Sequence, residues 1–489
     1  MHHENKNTET LFLVVILLLV FALSTSAPVD NDMWWHLRAG DEMWHQGKIL
    51  LTDEFSHTRA GASWTNAFWL SDLGLYGLWS LGGFFVITIV VSLMAVIAAW
   101  IIFTQMKGSV YLRGLLILLA MMGVVANWTA RPQLFSFILL AILDHYLNRH
   151  ALNNKLRTLL FLIFIFALWG NLHGGFIWGI LLLIATIAGE VCNNIFDNQP
   201  KLGWKEIGYL SLSSIGAAFA VSINPNGIQL WKLPFEQVGV SLAIQEWLSP
   251  DFHQFYAHPM LWLLFLLIIG LAFSEKRISF TDLFKGLGFA YMFFFAQRNM
   301  GPYCIVITPI AAKHLSHALT YFSSAPSIQK IKGFFIQKTS ARQVSNKITR
   351  AINILFVSAL ATTFLFNAFI VSLPGNIDRK VPAQAVTWIK ENQPNGPIFN
   401  SYNWGGYLTW ELRDYPVFID GRADLYGDEL IAEWHEISLG TTKGLDLLQK
   451  YEINLIFLEP TYSLLEKLPS QEWKKEYRDS QIAIYQRIP

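Results

Sequence analysis

Cysteine and charge are both scarce in this chain. Its two cysteines, Cys192 and Cys304, lie far apart, which excludes a disulfide-dense scaffold and four-cysteine zinc sites. Only 15% of the 489 residues are charged, against 53% hydrophobic and 15% aromatic, so neither one soluble fold nor a string of soluble domains fits. There is no excess of one sign either. A formal net charge of +1 points to no nucleic-acid partner and to no acidic disordered tail. Internal repeats and low-complexity tracts are missing. What remains is a mean hydropathy of +0.36 and a series of long apolar runs, the pattern of a polytopic α-helical membrane protein.

A hydrocarbon core about 30 Å thick needs roughly 20 helical residues per crossing. Segments that meet or approach this length lie at 11–27, 83–104, 110–127, 132–147, 156–172, 174–190, 206–222, 259–274, 281–297, 300–316 and 351–373, about eleven in all. The first follows a leader in which Lys6 is offset by Glu4 and Glu9. Without the positive leader of a secretory signal it reads as a retained span, although Ser24-Thr25-Ser26-Ala27 has the small residues of a cleavage site. Cytoplasmic loops collect Lys and Arg. The stretch 313–350 holds Lys313, Lys330, Lys332, Lys338, Arg342, Lys347 and Arg350 and no acidic residue, so it is expected inside. Counting spans backwards puts Lys107 to Arg113, Arg149 to Arg157, Lys201 to Lys205 and Lys276-Arg277 on that same side. The N-terminus is then cytoplasmic, while the first loop, 28–82, and everything after Leu373 lie outside.

The composition divides the chain into a membrane domain, 1–373, and a soluble extracytoplasmic domain, 374–489. In the second, helical patterns at Pro382 to Asn392 and Leu445 to Tyr451 alternate with short apolar runs at Pro397 to Phe399, Pro416 to Ile419, Asn454 to Leu458 and Ile482 to Tyr485, which reads as α/β.

Polar residues at membrane depth are costly and default to function. Here they gather at the outer ends of the spans: Asp30-Asn31-Asp32, Arg131, Asn171-Leu172-His173, Asn224-Pro225-Asn226 and Gln297-Arg298-Asn299, with Glu246 and Asp251 in outer loops. Such a cup suits a site that handles a polar group on a lipid carrier; a solute channel would carry polar residues through the whole depth of its helices. Asp30 and Asp32, at the membrane exit, have the spacing for a base and its helper, and equally for capping the helix that starts near Met33. Trp34, Trp35, Trp44 and Trp64 suit an interfacial aromatic belt or a platform for sugar rings.

The acidic pair directly after the first span, the Trp- and His-containing helix, the Gly47-Lys48-Ile49 turn and the stretch Thr52-Asp53-Glu54-Phe55-Ser56-His57-Thr58 together resemble the first outer loop of the integral-membrane C-type (GT-C) glycosyltransferases. That family includes protein O-mannosyltransferases and the aminoarabinose transferases of lipid A. The resemblance covers the architecture and about 45 residues of loop; Asn171 to Gly175, Asn224 to Gly227 and Trp404 to Tyr407 look like an uncharacterised branch. It implies about eleven transmembrane helices, an extracytoplasmic site, a C-terminal outer domain and a polyprenyl-phosphate-linked sugar donor. It also implies Asp30 or Asp32 as catalytic base, with Asp53 and Glu54 as helpers.

Inverting transfer also needs cations at the leaving phosphate. Arg131 and Arg298 are candidates, since guanidinium matches phosphate with paired hydrogen bonds; snorkelling, or pairing with Glu246 or Asp251, is the structural alternative. His173 is a third candidate and also fits a satisfied helix-end histidine. Acceptor contacts are expected from Trp34, Trp35, His36, Asp53, Glu54, Trp64 and Glu246, and from Trp404, Tyr407 and Arg422 in the outer domain. There, Asp420, Arg422 and Asp424 also fit a turn held by an ion pair. A magnesium or manganese ion would choose Asp30 and Asp32. The expectation is therefore a membrane glycosyltransferase with an unidentified acceptor, lipid partners and no nucleic acid. The alternatives are a transporter or flippase of a lipid-linked glycan and a non-catalytic cell-envelope assembly component. With no disulfide framework and no organelle signal, a bacterial inner membrane is the favoured location.

Overall fold

The computed structural model describes residues 2–149, 154–236, 245–324 and 346–488. The lysines and arginine expected to mark a cytoplasmic loop at Lys330, Lys332, Lys338 and Arg342 lie outside the described residues.

Every apolar segment expected to span is a helix: α1 (His2–Ser24), α3 (Trp69–Gln105), α4 (Val110–Val124), α5 (Gln133–Arg149), α6 (Lys155–Leu172), α7 (Phe176–Ile195), α8 (Trp204–Ala220), α9 (His258–Ala272), α10 (Phe280–Phe295), α11 (Met300–Ser324) and α12 (Asn346–Val371). A short helix in the first loop, α2 (Met33–Gln46), lies between the first two. Among the described residues, six helices are long and apolar enough to cross a membrane. The others are shorter or carry charge, as α5 does at Asp144 and α10 at Asp282 and Lys285. Helix starts follow capping chemistry: Ser109, Asn154 and Ser279 accept backbone N–H groups of the first turn. α3 begins well before the expected 83, but the expectation marks a real break. Gly82 and Gly83 interrupt the helix, and Gly83 sits at φ 61°, where a side chain would be strained.

At the bundle end opposite to the first loop, three buried carboxylates each find their own partners. Lys285 Nζ lies 2.8 Å from Asp144 Oδ1, both almost fully buried, and Lys313 Nζ lies 2.6 Å from Asp282 Oδ2. Glu190 accepts from Thr281 Oγ1 at 2.7 Å and from the Lys201 backbone N–H at 2.9 Å.

The C-terminal region is mixed α/β. Its sheet has the order β1 (Ile398–Asn400), β2 (Leu455–Leu458), β4 (Ala483–Arg487), β3 (Trp473–Arg478), parallel between β1 and β2 and antiparallel elsewhere. Alternation along β2 fills both faces: Leu455 and Phe457 on one, Ile456 and Leu458 on the other. The first face also buries Met33 and Trp34 of α2 and Ile87 of α3, so the region shares a core with the first loop. Its longer helices are α13 (Ala383–Asn392), α14 (Gly405–Glu411), α15 (Ala423–Leu439) and α16 (Thr442–Lys450). The apolar run at Pro416 to Ile419, expected as a strand, does not join the sheet. Val417 instead bridges Ser56 of the first loop, exchanging backbone bonds with Phe55 and His57. The strand at Trp473–Arg478 and the helix at Ala423–Leu439 have no counterpart in the sequence expectation, because their apolar residues are interleaved with charges.

Candidate active site

Asp32 occupies the N-cap position of α2, yet its carboxylate makes no capping bond. That observation separates the two readings of the acidic pair. Asp30 does the local structural work, accepting the Asp32 N–H at 2.9 Å. The Asp32 carboxylate turns away from its own helix end, with Oδ1 accepting Trp35 Nε1–H at 3.2 Å and Oδ2 lying 3.2 Å from Arg131 Nη1. Arg131, in the turn between α4 and α5, also donates through Nε to Asp30, and its Nη1 reaches Glu246 Oε2 at 3.3 Å. One guanidinium thus faces three carboxylates.

The segment that brings Glu246 to Arg131 brings its neighbour Trp247 to Arg298, whose guanidinium lies 3.9 Å from the indole centre. A bond from Gln297 N–H to Leu248 C=O, 2.9 Å, ties the two turns together. Among the described residues Arg298 has no carboxylate within salt-bridge distance.

Burial is the largest influence on Asp32. It pushes the carboxyl up to about 7; Arg131 opposes the rise, and Asp30 and Glu246 add to it. For Arg131 burial opposes the charge, but Asp32, Asp30 and Glu246 outweigh it and hold the guanidinium above its ordinary value. Arg298 is pushed down by burial, with Arg131 adding and Glu246 and Asp32 opposing.

His173 follows α6 and is buried. Its Nδ1 accepts from the Gly175 N–H at 2.9 Å and pairs with Ser136 Oγ at 2.7 Å, while Ser136 itself accepts Trp169 Nε1–H at 2.6 Å. Burial, then Arg298, lowers its pKa to about 3. The ring is neutral with its proton on Nε2, so it can offer a phosphate a hydrogen bond but no charge.

The remaining expected residues are distributed unevenly. Asn171, Asn224, Asn226 and Asn299 bond mainly to backbone carbonyls, and Asp251 pairs with exposed His253. Trp34 is buried against Phe84 and Tyr407, so neither Trp34 nor Tyr407 lines an open rim. Trp35 and Trp64 pack edge to face, also buried. His36 does not face Asp32; its Nδ1 lies 2.7 Å from Asp72 Oδ1. Glu54 is at the surface near Lys48 and Gln46. Trp404 is partly buried, with its Nε1 enclosed and lacking a partner among the described residues. Asp53 accepts from Phe55 N–H, Ser56 N–H and Ser56 Oγ, and lies 2.7 Å from Arg422 Nη1. Arg422 is 1% exposed and forks onto Asp420, so the turn at Asp420 to Arg422 is held by an internal ion pair.

Tyr402 and Trp247 were not singled out by sequence. The Tyr402 hydroxyl is pushed well above its ordinary pKa by burial, then by Asp32, Asp420, Glu246 and Asp424. It lies just before the Trp404 to Tyr407 stretch that sequence did mark; Trp247 carried no signal except adjacency to Glu246.

Among the described residues no group of three or more His, Cys, Asp or Glu could hold a metal ion. Asp30 and Asp32 share Arg131, so a divalent cation held there would compete with that guanidinium. A cavity of about 670 Å³, lined by Lys390, Gln393, Glu411 and Arg413 among others, shares no residue with the cluster.

No protein-family model and no curated protein sequence matches the chain. Solved structures do. The archaeal oligosaccharyltransferase AglB from Archaeoglobus fulgidus, in complex with an inhibitory peptide and a dolichol-phosphate, is similar over 91% of this chain and 68% of its own, with a TM-score of 0.55 and 12% identity. The oligosaccharyltransferase of the same organism in its apo form is similar over 91% and 69%, with a TM-score of 0.52 and 12% identity. The chain therefore shares the fold of these oligosaccharyltransferase structures: mostly helical and polytopic, with several apolar spans and a small C-terminal mixed α/β region.

Proposed function

We propose that this protein transfers a sugar from a polyprenyl-phosphate carrier to an acceptor hydroxyl outside the cytoplasm. The observation that carries the reading is an N-cap aspartate withheld from capping, beside an arginine shared by three carboxylates and near a second arginine with no carboxylate partner among the described residues. A GT-C fold and a solved structure of that fold holding a dolichol-phosphate support a lipid-phosphate donor.

In this scheme Asp32 is the base and Asp30 positions it, since Asp30 is taken up by Arg131 and the Asp32 N–H. The acceptor oxygen attacks the anomeric carbon, and its proton passes to Asp32. The bond from that carbon to the phosphate oxygen breaks, and the electron pair leaves with the polyprenyl phosphate. Arg298 and Arg131 meet the departing charge, and His173 donates from Nε2. On the acceptor side we place Glu246, which reaches Arg131, with Trp404 and Tyr402. Residues 1–373 form the membrane domain and 374–489 an extracytoplasmic domain, in a bacterial inner membrane with the N-terminus inside.

The test is the full chain in lipid vesicles with a panel of polyprenyl-phosphate hexoses, following release of polyprenyl phosphate. Turnover that disappears in Asp32→Asn, with thermal unfolding unchanged, is the expected result. An Asp32→Asn protein as active as the parent would overturn the assignment, and a donor-insensitive protein would overturn the reaction.

A further inference from the structure

The turn Asp420-Gly421-Arg422 stands out because it joins the C-terminal region to two separate parts of the first loop, at Asp32 and at Asp53. Its backbone approaches α2 so closely that two positions exclude a side chain. A Cβ on Gly421 would overlap Asp32 Oδ1 and lie 3.1 Å from Trp35 Nε1, the group that donates to the same oxygen. A Cβ on Gly406 would lie 2.5 Å from the Asn31 carbonyl oxygen and 3.3 Å from Trp35 Cδ1. The C-terminal region therefore fits against Asn31, Asp32 and Trp35 through bare backbone.

Arg422 fixes that fit. Nε bonds Asp420 Oδ1 at 2.9 Å, Nη2 bonds Asp420 Oδ2 at 2.7 Å, and the Arg422 N–H reaches Asp420 Oδ1 at 3.0 Å, so the turn around Gly421 has little freedom. Nη1 lies 2.7 Å from Asp53, whose carboxylate also caps Phe55 and Ser56. The rings of Phe55 and Trp64 sit 4.9 and 5.0 Å from the guanidinium carbon. Around this centre the first loop is stitched to the C-terminal region by Thr58 Oγ1 on Phe418 C=O at 2.6 Å and Arg59 Nη2 on Tyr426 C=O at 2.6 Å.

Resting on the assignment of Asp32 as base, we infer that the Asp420-Gly421-Arg422 turn is a positioning element: Gly421 sets where the Asp32 carboxylate points, and Arg422 holds Gly421 in place from a site that touches no substrate. The C-terminal region then completes the catalytic site instead of only covering it. A carboxylate moved by about 1 Å loses roughly 100-fold in rate.

The experiment uses the full chain in vesicles with a polyprenyl-phosphate hexose as probe. Gly421→Ala is expected to lower kcat roughly 100-fold while KM for the probe and the unfolding midpoint stay at parental values. The three atoms nearest to the added methyl belong to the side chains of Asp32 and Trp35 and none to backbone, so the clash falls first on the Asp32 carboxylate. Arg422→Lys, which keeps the charge but loses the fork, is expected to lower kcat in the same direction. A Gly421→Ala protein with parental kcat overturns the inference. Should Gly421→Ala lower the unfolding midpoint, the double variant Gly421→Ala with Asp32→Ala decides: recovery of the midpoint supports the contact, and no recovery overturns it. Full activity in Asp32→Asn would instead sink the assignment of the base, and the melting comparison would still report on the Gly421 contact.

Discussion

The two ends of the helical bundle use the same residue types to opposite effect. At the end away from the first loop, Asp144 meets Lys285, Asp282 meets Lys313, and Glu190 is satisfied by Thr281 and two backbone N–H groups. Each of these three carboxylates has its own partners among the described residues, and the contacts tie α5, α7, α10 and α11 together. At the end that carries the C-terminal region, three carboxylates share Arg131, and Arg298 rests on Trp247 with no carboxylate partner among the described residues. Burial of charge alone does not mark a site; a mismatch in the pairing does.

That contrast can be broken most sharply at Asp32. Asp32→Asn preserves shape and removes the base, and a loss of about 10²- to 10⁴-fold in polyprenyl phosphate release is expected with the unfolding midpoint unchanged. The opposite end should answer in stability. Lys285→Met leaves Asp144 buried and unpaired, at a cost of about 3–5 kcal/mol, and pairing it with Asp144→Leu should return most of that; thermal unfolding in detergent measures both. Turnover per folded molecule should be unaffected in the double variant. Loss of turnover there, or loss of stability alone in Asp32→Asn, would erase the distinction between the two ends.

Smaller effects sharpen it. Arg298→Ala should raise KM for the donor by the equivalent of about 2 kcal/mol, the worth of a charge-assisted hydrogen bond, with a smaller change in kcat. The pH profile follows from Asp32, which acts only when ionised and whose carboxyl is raised to about 7. kcat/KM should therefore climb as pH rises through about 7, not near 4. The same shift has a stability sign. The folded state holds this proton more tightly than the unfolded chain, so the contribution of Asp32 to stability declines as pH rises from the ordinary carboxylate range towards 7. Glu246→Gln removes one of the charges that raise Asp32, so the limb should move to lower pH. A limb that stays in place would mean that another group controls it.

Much of the architecture was legible in the chain. Each expected span is a helix, because apolar runs of this length have few alternatives in a bilayer, where every backbone N–H must be satisfied within its own segment. The helix at Met33 was legible for similar local reasons, whereas the helical turns before Gly82, read as loop, were not. The C-terminal region was less so: Val417 looked like a sheet strand and instead pairs with Ser56, a choice fixed by contact with the first loop. Among site residues, the gathering of Asp30, Asp32, Arg131, Glu246 and Arg298 at one end followed from counting spans. The burial of Trp34, Trp64, Tyr407 and Arg422 did not, since an aromatic or arginine near a membrane face has the same sequence signature whether it faces solvent or a second layer of protein.

Sequence by itself determined where the helices run and which ends gather polar groups, because hydropathy and capping act over a few residues and need no distant partner. Tertiary structure alone decided which polar groups meet. Arg131 finds Asp30 across 101 positions and Glu246 across 115, and Gly421 touches Asp32 from the other end of the chain. Ion pairing, burial and the pKa that follows from them are set by distance in space, and nothing in the local pattern of residues encodes that distance.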